Sequence, residues 1–444
     1  MKYVIIGAGP TGLGAAHRLL ELGERDFVIL ERDGHAGGLA ASFRDSAGFT
    51  WDIGGHVVFS RYEYFNSLLD DLLGGERLEH QRIARVRMAD TWVPYPFQNN
   101  IRHLPRELVW ECVQGLLRER SPQLANFSDW IDYVFGAGIA RLFMRPYNFK
   151  VWATPPELMQ YSWIGERVSV VDLEGVLKNL ILGLDDAGWG PNNTFRFPLH
   201  GGTGDIFNRL AASAGGHLRL NAHVVRVDLE GKTVELAGGE RVEWEYLLNT
   251  GPLDRLVQDW IRPESDELHR AAADLEHNSV FVSGVGVDGL RQDPTCWMYF
   301  PESNCPFYRV TNFHNYSPNN VAMPGSQMGF MSEVSSSRRK PENLGGMQDK
   351  VIDGLKETTL VRADDAIVST WEMNVDYGYP VPTLGRDRAL GVLQPWLEER
   401  RVFSRGRFGG WKYEVANMDH SVMQGVEWVE RMVQGREERT YRIG

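Results

Sequence analysis

Gly7, Gly9 and Gly12 stand in the spacing G-x-G-x-x-G directly after the apolar run Tyr3-Val4-Ile5-Ile6. The chemistry this spacing serves is holding a pyrophosphate. The first glycine permits a tight turn, the second lets the backbone approach the ligand, and the third lets a helix pack close to its strand. The helix N-terminus then meets the anion with free N–H groups and the positive end of its dipole. Glu31, nineteen residues beyond Gly12, closes the next apolar run, where a carboxylate can accept from a ribose hydroxyl. The pattern by itself is weak, since Gly284, Gly286 and Gly289 repeat it. There Pro294 follows and no helix can open, so the second match reads as a strand and a turn. No histidine or cysteine pair has ligand spacing, so no metal is expected, and no Ser-His-Asp arrangement is legible.

The elements that must position these residues follow from periodicity. Residues 3–6 and 27–30 read as buried parallel strands flanking a helix from about Thr11 to Glu21. Leu108, Val109, Cys112, Val113, Leu116 and Leu117 predict a helix after Pro105. Ser128 is expected to cap a second helix, and a third is expected from about Val171 to Leu184. Alternation over 217–250, broken by Glu230-Gly231 and Gly238-Gly239, predicts a β-meander. Residues 255–395 mix short strands with turns. A strand at Val402-Phe403-Ser404 and an amphipathic helix carrying Val422, Val426, Val429 and Met432 end the pattern.

The chain has 444 residues, 43% of them apolar, with a net charge of −12. That length asks for more than one core, and the composition argues against disorder. The acidic balance argues against nucleic acid as a partner. No apolar run reaches the roughly 18 residues of a membrane span. Three cysteines, Cys112, Cys296 and Cys305, fit no disulfide framework and suit a reducing cytoplasm. The expectation is a soluble cytoplasmic protein, with self-association as a homo-oligomer left open.

Further motifs carry a resemblance. Gly37-Gly38-Leu39-Ala40-Ala41-Ser42 resembles the second glycine-rich segment of amine-oxidase-like flavoproteins, which points to FAD as the dinucleotide. The run Trp51-Asp52-Ile53-Gly54-Gly55-His56-Val57-Val58-Phe59-Ser60 is similar to the histidine loop of the UDP-galactopyranose mutases. Val93-Pro94-Tyr95-Pro96-Phe97-Gln98, Met144-Arg145-Pro146-Tyr147-Asn148 through Trp152, and Gly165-Glu166-Arg167 continue the likeness. So do Trp189-Gly190-Pro191-Asn192, Asn304-Cys305-Pro306-Phe307-Tyr308-Arg309 and Ser404-Arg405-Gly406-Arg407-Phe408. The likeness is greatest to the eukaryotic-type branch.

The resemblance implies an α/β fold. A Rossmann-like FAD domain would be discontinuous over 1–80, 195–255 and 400–444. A helical substrate domain would occupy 100–190, and a mixed antiparallel-sheet domain 256–399. It implies an isomerase that interconverts UDP-galactopyranose and UDP-galactofuranose. Reduced flavin N5 would attack the anomeric carbon, with NADPH or NADH as reductant. Arg167 and Arg309 would clamp the diphosphate, and His56 would lie near N5. Tyr299, Tyr316, Tyr379, Tyr413 and Asn192 would bind the diphosphate or sugar. Tyr95, Gln98, Asn148, Trp152 and Phe59 would surround the uridine, and Arg82 and Asn417 would join the sugar pocket. FAD would meet Gly7, Gly9, Gly12, Glu31, Arg32, Gly38, Leu39, Gly55, Val225, Thr250, Arg407, Asp419 and Ser421. Two alternatives stand beside this reading: the same chemistry on another nucleotide sugar, and an amine-oxidase-like flavin oxidase. A flavin-bearing binding protein without turnover is a third.

Overall fold

A computed structural model describes residues 1–186, 190 and 193–442, with the side chain of Glu166 left aside. Five parallel strands form the first sheet, in the spatial order Val402–Ser404, Tyr246–Asn249, Tyr3–Ile6, Phe27–Leu30 and Leu218–Arg219. Tyr3–Ile6 and Phe27–Leu30 are buried at every position, as strands covered on both faces must be. The helix Pro10–Glu21 follows the glycine turn, with Gly9 as an N-cap that makes no side-chain cap bond. A Cβ on Gly12 would sit 2.0 Å from the Gly7 carbonyl oxygen, so the turn closes only around glycine.

The expected meander is shorter than 217–250. Val224–Asp228, Thr233–Leu236 and Arg241–Glu243 pair antiparallel. Tyr246–Asn249 leaves them and lies parallel to Tyr3–Ile6. Its Leu247 and Leu248 are buried in the two different cores that flank the parallel sheet, and a strand at the centre of that sheet has cover on both sides.

Seven strands form the second sheet, ordered Ile367–Pro380, His277–Asp288, Gln327–Ser336, Arg309–Asn312, Trp297–Tyr299, Ala84–Met88 and Thr91–Pro94. Every pairing is antiparallel except Trp297–Tyr299 with Ala84–Met88. Gly284 and Gly286 lie within the His277–Asp288 strand, where the Trp51 and Phe49 rings cover them. A Cβ would come within 2.5 Å of Trp51 at Gly284 and 2.6 Å of Phe49 at Gly286. The rings account for Gly284 and Gly286, while Gly289 lies just past the strand at a φ of +93°.

The helical segment holds Arg106–Leu117, Phe127–Ile139, Arg145–Trp152 and Leu173–Leu182. The second of these is capped by Asn126, whose side chain accepts from the Asp129 N–H at 3.0 Å, and not by Ser128. Ser128 instead stands one residue inside the helix and meets Arg145. The 256–399 boundary also does not follow the packing. Leu256, Val257, Leu268 and Ala272, with Leu390, Leu393 and Leu397 of the helix Arg386–Glu398, share a core with Val4, Ile6 and Leu30. Their amphipathic faces complete the parallel sheet, not the antiparallel one.

Gly284→Ala would drive a methyl group into a stack of buried rings. We expect it to cost about 1–3 kcal/mol, read as a lower thermal midpoint. Gly238→Ala, where nothing lies within 4 Å of the added carbon, should stay within roughly 0.5 kcal/mol of wild type.

Candidate functional site

Two adjoining cavities lie between the sheets, of about 640 and 550 Å³. Leu39, Ile53, His56, Val375, Arg407 and Met418 line both, so the cavities meet at those residues.

The smaller cavity is a groove that begins at the glycine turn. Gly7, Gly9, Pro10 and Thr11 form one end, with Glu31, Arg32 and Thr250 beside them. The Glu31 carboxylate accepts from the Ala8 N–H at 2.7 Å and the Asp33 N–H at 2.8 Å. Thr250 Oγ1 donates to the Ile6 carbonyl at 2.8 Å, fixing the wall beside Gly7. Gly38, Leu39, Arg407 and Ser421 line the groove further along. Gly12 lies beneath the turn as packing. Val225 is not in the lining, because strand alternation turns it away and presents Val224. The groove therefore offers uncapped helix N–H groups for an anion and a buried carboxylate for hydroxyls, a combination suited to a dinucleotide.

The larger cavity has the seven-stranded sheet as its floor. Tyr299, Arg309, Glu333 and Val282 are successive cross-strand partners, and all four line it. Arg309 Nε donates to Glu333 Oε1 at 2.8 Å and Nη2 to Oε2 at 2.9 Å. Glu333 also accepts from Tyr308 Oη at 2.5 Å and from the Gly55 N–H at 3.0 Å. Burial pushes the Glu333 carboxyl up, but the Arg309 charge and these hydrogen bonds outweigh it and leave it below the usual value. The Glu333 side chain is 2% exposed and that of Arg309 22%, so Arg309 still reaches the cavity.

Arg167 approaches from the short turn Gly165–Arg167. Its guanidinium donates to the Glu414 carbonyl at 2.6 Å and to Asn417 Oδ1 at 3.3 Å, and lies 4.9 Å from the Tyr413 ring centre. Phe59, Arg82, Tyr95 and Tyr379 complete the expected residues that the cavity brings together, and Gly55 and Asp419, expected against FAD, line this cavity and not the groove. The Arg82 guanidinium lies 5.6 Å from the Tyr95 ring centre, and Arg407 lies 5.0 Å from that of Tyr379. Burial raises the Tyr299 and Tyr379 hydroxyls above their ordinary value, so both remain donors at neutral pH.

Four expected residues lie behind the wall. Gln98 donates to the Ser169 carbonyl and Asn148 to that of Met144. Trp152 packs 4.8 Å from Tyr413, and Tyr316 sits among Phe195, Phe197 and Phe313. All four are buried and none lines the cavity. The Gln98 and Asn148 amide nitrogens are spent on backbone carbonyls, Gln98 Oε1 and Trp152 Nε1 are buried without a partner, and the rings fill core, so any influence on a ligand passes through the residues in front. Asn192 lies outside the described residues. The lining also includes Glu333, Arg61, Trp163, Glu414 and His420, which the motifs did not mark. Glu333 had a signal: it is the one charged residue in the strand Gln327–Ser336, and an acid buried in a sheet demands a cationic partner.

His56 occupies the junction. Burial first, then Arg407, pushes its imidazole down to about 4. Its Nδ1 and the Nε of Arg407 are buried without a hydrogen-bond partner. Two orphaned polar atoms where the cavities meet are the kind of group a heteroatom-rich ring would satisfy.

The family described as flavin containing amine oxidoreductase matches residues 10–329. A solved structure of reduced UDP-galactopyranose mutase is 43% identical with a TM-score of 0.96, covering 99% of this chain and 95% of that one. A putrescine oxidase shares the fold at TM-score 0.66 with 17% identity, covering 98% and 99% of the two chains. The 15-cis-phytoene desaturase of Glycine max is 33% identical over 174 residues, 38% of this chain and 29% of that protein. That of Arabidopsis thaliana is 24% identical over 282 residues, 58% and 48%. The matches thus span less than half the length of these curated relatives.

The lowered His56 value has a sign that can be tested. A neutral imidazole is favoured in the fold, so its contribution to stability is complete above about 6.5 and fades as pH falls toward 4. Wild type should lose stability relative to His56→Gln as pH falls across that window in denaturant titrations. A difference independent of pH would remove His56 as the titrating group.

Proposed function

Because the chain belongs to the flavin-containing amine oxidoreductases and, within them, to the UDP-galactopyranose mutases, we propose that it interconverts UDP-galactopyranose and UDP-galactofuranose on reduced FAD. The observation that carries this reading is the charge of the larger cavity. Among the described residues, Arg61, Arg82, Arg167, Arg309 and Arg407 line it against Glu333, Glu414 and Asp419. An amine or an apolar polyene would be poorly served there. A nucleoside diphosphate fits, because guanidinium forks match phosphate oxygens and stay charged.

The groove suits FAD by the same residues. Uncapped N–H groups at Pro10–Glu21 would face the pyrophosphate, Glu31 a ribose, and His56 and Arg407 the ring system. When bound and reduced, the flavin supplies a nucleophilic N5 and takes no net electrons over a turnover.

The chain's own residues hold charge and position. Arg167 and Arg309 grip the diphosphate as negative charge grows on it during departure. Each such bond is worth about 1.5–3 kcal/mol. Glu333 fixes the Arg309 plane so that the fork is set before substrate arrives. Tyr299, Tyr379 and Tyr413 donate to phosphate or sugar oxygens, and Arg82 and Asn417 bound the sugar. Tyr95 and Phe59 flank the uracil, with Gln98, Asn148 and Trp152 stiffening the wall behind them. His56, whose imidazole burial and Arg407 push down to about 4, would add no positive charge at the junction that would hold the flavin ring.

NADPH or NADH supplies the reducing equivalents in this reading. A nicotinamide would reach the flavin through the larger cavity, since that cavity meets the groove at His56. Cytoplasmic residence is supported by three buried free thiols. No helix among the described residues is long and apolar enough to cross a membrane.

Dithionite-reduced protein should convert UDP-galactofuranose to UDP-galactopyranose by chromatography, while oxidised protein should not and no peroxide should form. Peroxide release without added reductant would favour an oxidase instead. Arg167→Ala and Arg309→Ala should each lower kcat/KM by about 10- to 100-fold while FAD stays bound.

A further inference from the structure

Arg386 opens the helix Arg386–Glu398 and lines neither cavity. Its side chain is nevertheless 1% exposed, and a buried guanidinium requires a committed partner. That partner is Glu414. Arg386 Nη1 donates to Glu414 Oε2 and Nη2 to Oε1, both at 2.8 Å. This is a bidentate fork, the geometry that fixes direction as well as distance. The third nitrogen, Nε, donates to Asp387 at 2.9 Å.

Glu414 is also the residue whose carbonyl holds Arg167. The other two tethers of Arg167, the Tyr413 ring and Asn417 Oδ1, lie within the same short stretch of chain. Arg167 itself rides on a single turn, Gly165–Arg167, which cannot set its register alone. The stretch is fastened downstream by Gln424 Nε2 to the Val415 carbonyl at 2.6 Å and by Arg407 Nη1 to that of Ala416 at 3.3 Å. At Glu414 the fastening is Arg386.

Charge adds a second consequence. Without Arg386, the Glu414 carboxylate would be left uncompensated on the residue whose carbonyl already holds the Arg167 guanidinium, and both residues line the larger cavity. That carboxylate would pair with Arg167 and compete with any incoming phosphate. Arg386 removes that competitor while holding the turn.

We propose that Arg386 is a positioning residue that, through its fork on Glu414, holds Arg167 in place and leaves its charge available to the diphosphate. This rests on Arg167 being a diphosphate ligand, as proposed above.

The test is UDP affinity of the FAD-loaded, reduced enzyme, with KM and kcat alongside. Arg386→Gln should weaken UDP by about 10-fold or more and raise KM more than it lowers kcat. Adding Glu414→Gln to Arg386→Gln should recover part of the loss, because the competing carboxylate is gone. In an Arg167→Ala background, Arg386→Gln should change affinity by less than about 2-fold. Arg386→Lys, which keeps the buried charge, serves if the glutamine variant does not fold. It should show a smaller rise in KM with unchanged FAD content. Wild-type UDP affinity in Arg386→Gln or wild-type KM in Arg386→Lys overturns the proposal. So does a loss in Arg386→Gln that adds fully to Arg167→Ala. An Arg167→Ala variant that binds UDP as wild type does overturns both this inference and the diphosphate reading beneath it. The first three outcomes leave that reading standing.

Discussion

Arg309 and Glu333 face each other across two adjacent strands, and much of the site is arranged around that contact. A carboxylate so deeply buried is tolerable only because a guanidinium, a tyrosine hydroxyl and a backbone N–H all converge on it. The N–H belongs to Gly55, so the same carboxylate fastens the loop that carries His56. Arg309 is thereby committed on one side to the sheet. A phosphate bound there would meet this arginine already oriented and would spend no affinity on ordering it.

The two cavities depend on each other through few residues. His56 and Arg407 belong to both, and the terminal helix Met418–Gln434 begins between them. Met418 lines both, Asp419 the larger and Ser421 the smaller. A ring bound in the groove would form part of the floor for whatever occupies the larger cavity. Arginines gather there although the chain as a whole carries a net charge of −12. The overall acidity makes the surface unattractive to polyanions, while the local field of the arginines in one cleft would favour a small one.

The residues behind the wall show how a motif can mark a site without touching it. Trp152 and Tyr316 are core by every measure of burial, yet Trp152 packs on the Tyr413 ring and Tyr316 on Phe195 and Phe197 beside the floor. Gln98 and Asn148 use their amides on backbone carbonyls. Such residues decide where the lining stands.

Local sequence determined the dinucleotide turn, its helix, the flanking strands and the second glycine pattern's exclusion. Each of these depends on neighbours a few residues apart, where steric and periodic rules act directly. It also carried most of the cavity residues, because the motifs that hold them are long. The sequence could not place Tyr246–Asn249 in the parallel sheet or join residues 84–94 to the seven-stranded one, since strand pairing is a choice among distant partners. Nor could it show that Glu333 meets Arg309, that Val224 rather than Val225 faces the groove, or that Arg386 stands behind Glu414. Those contacts exist only once register brings residues far apart in the chain onto one row, and register is settled by the burial of whole sheets together.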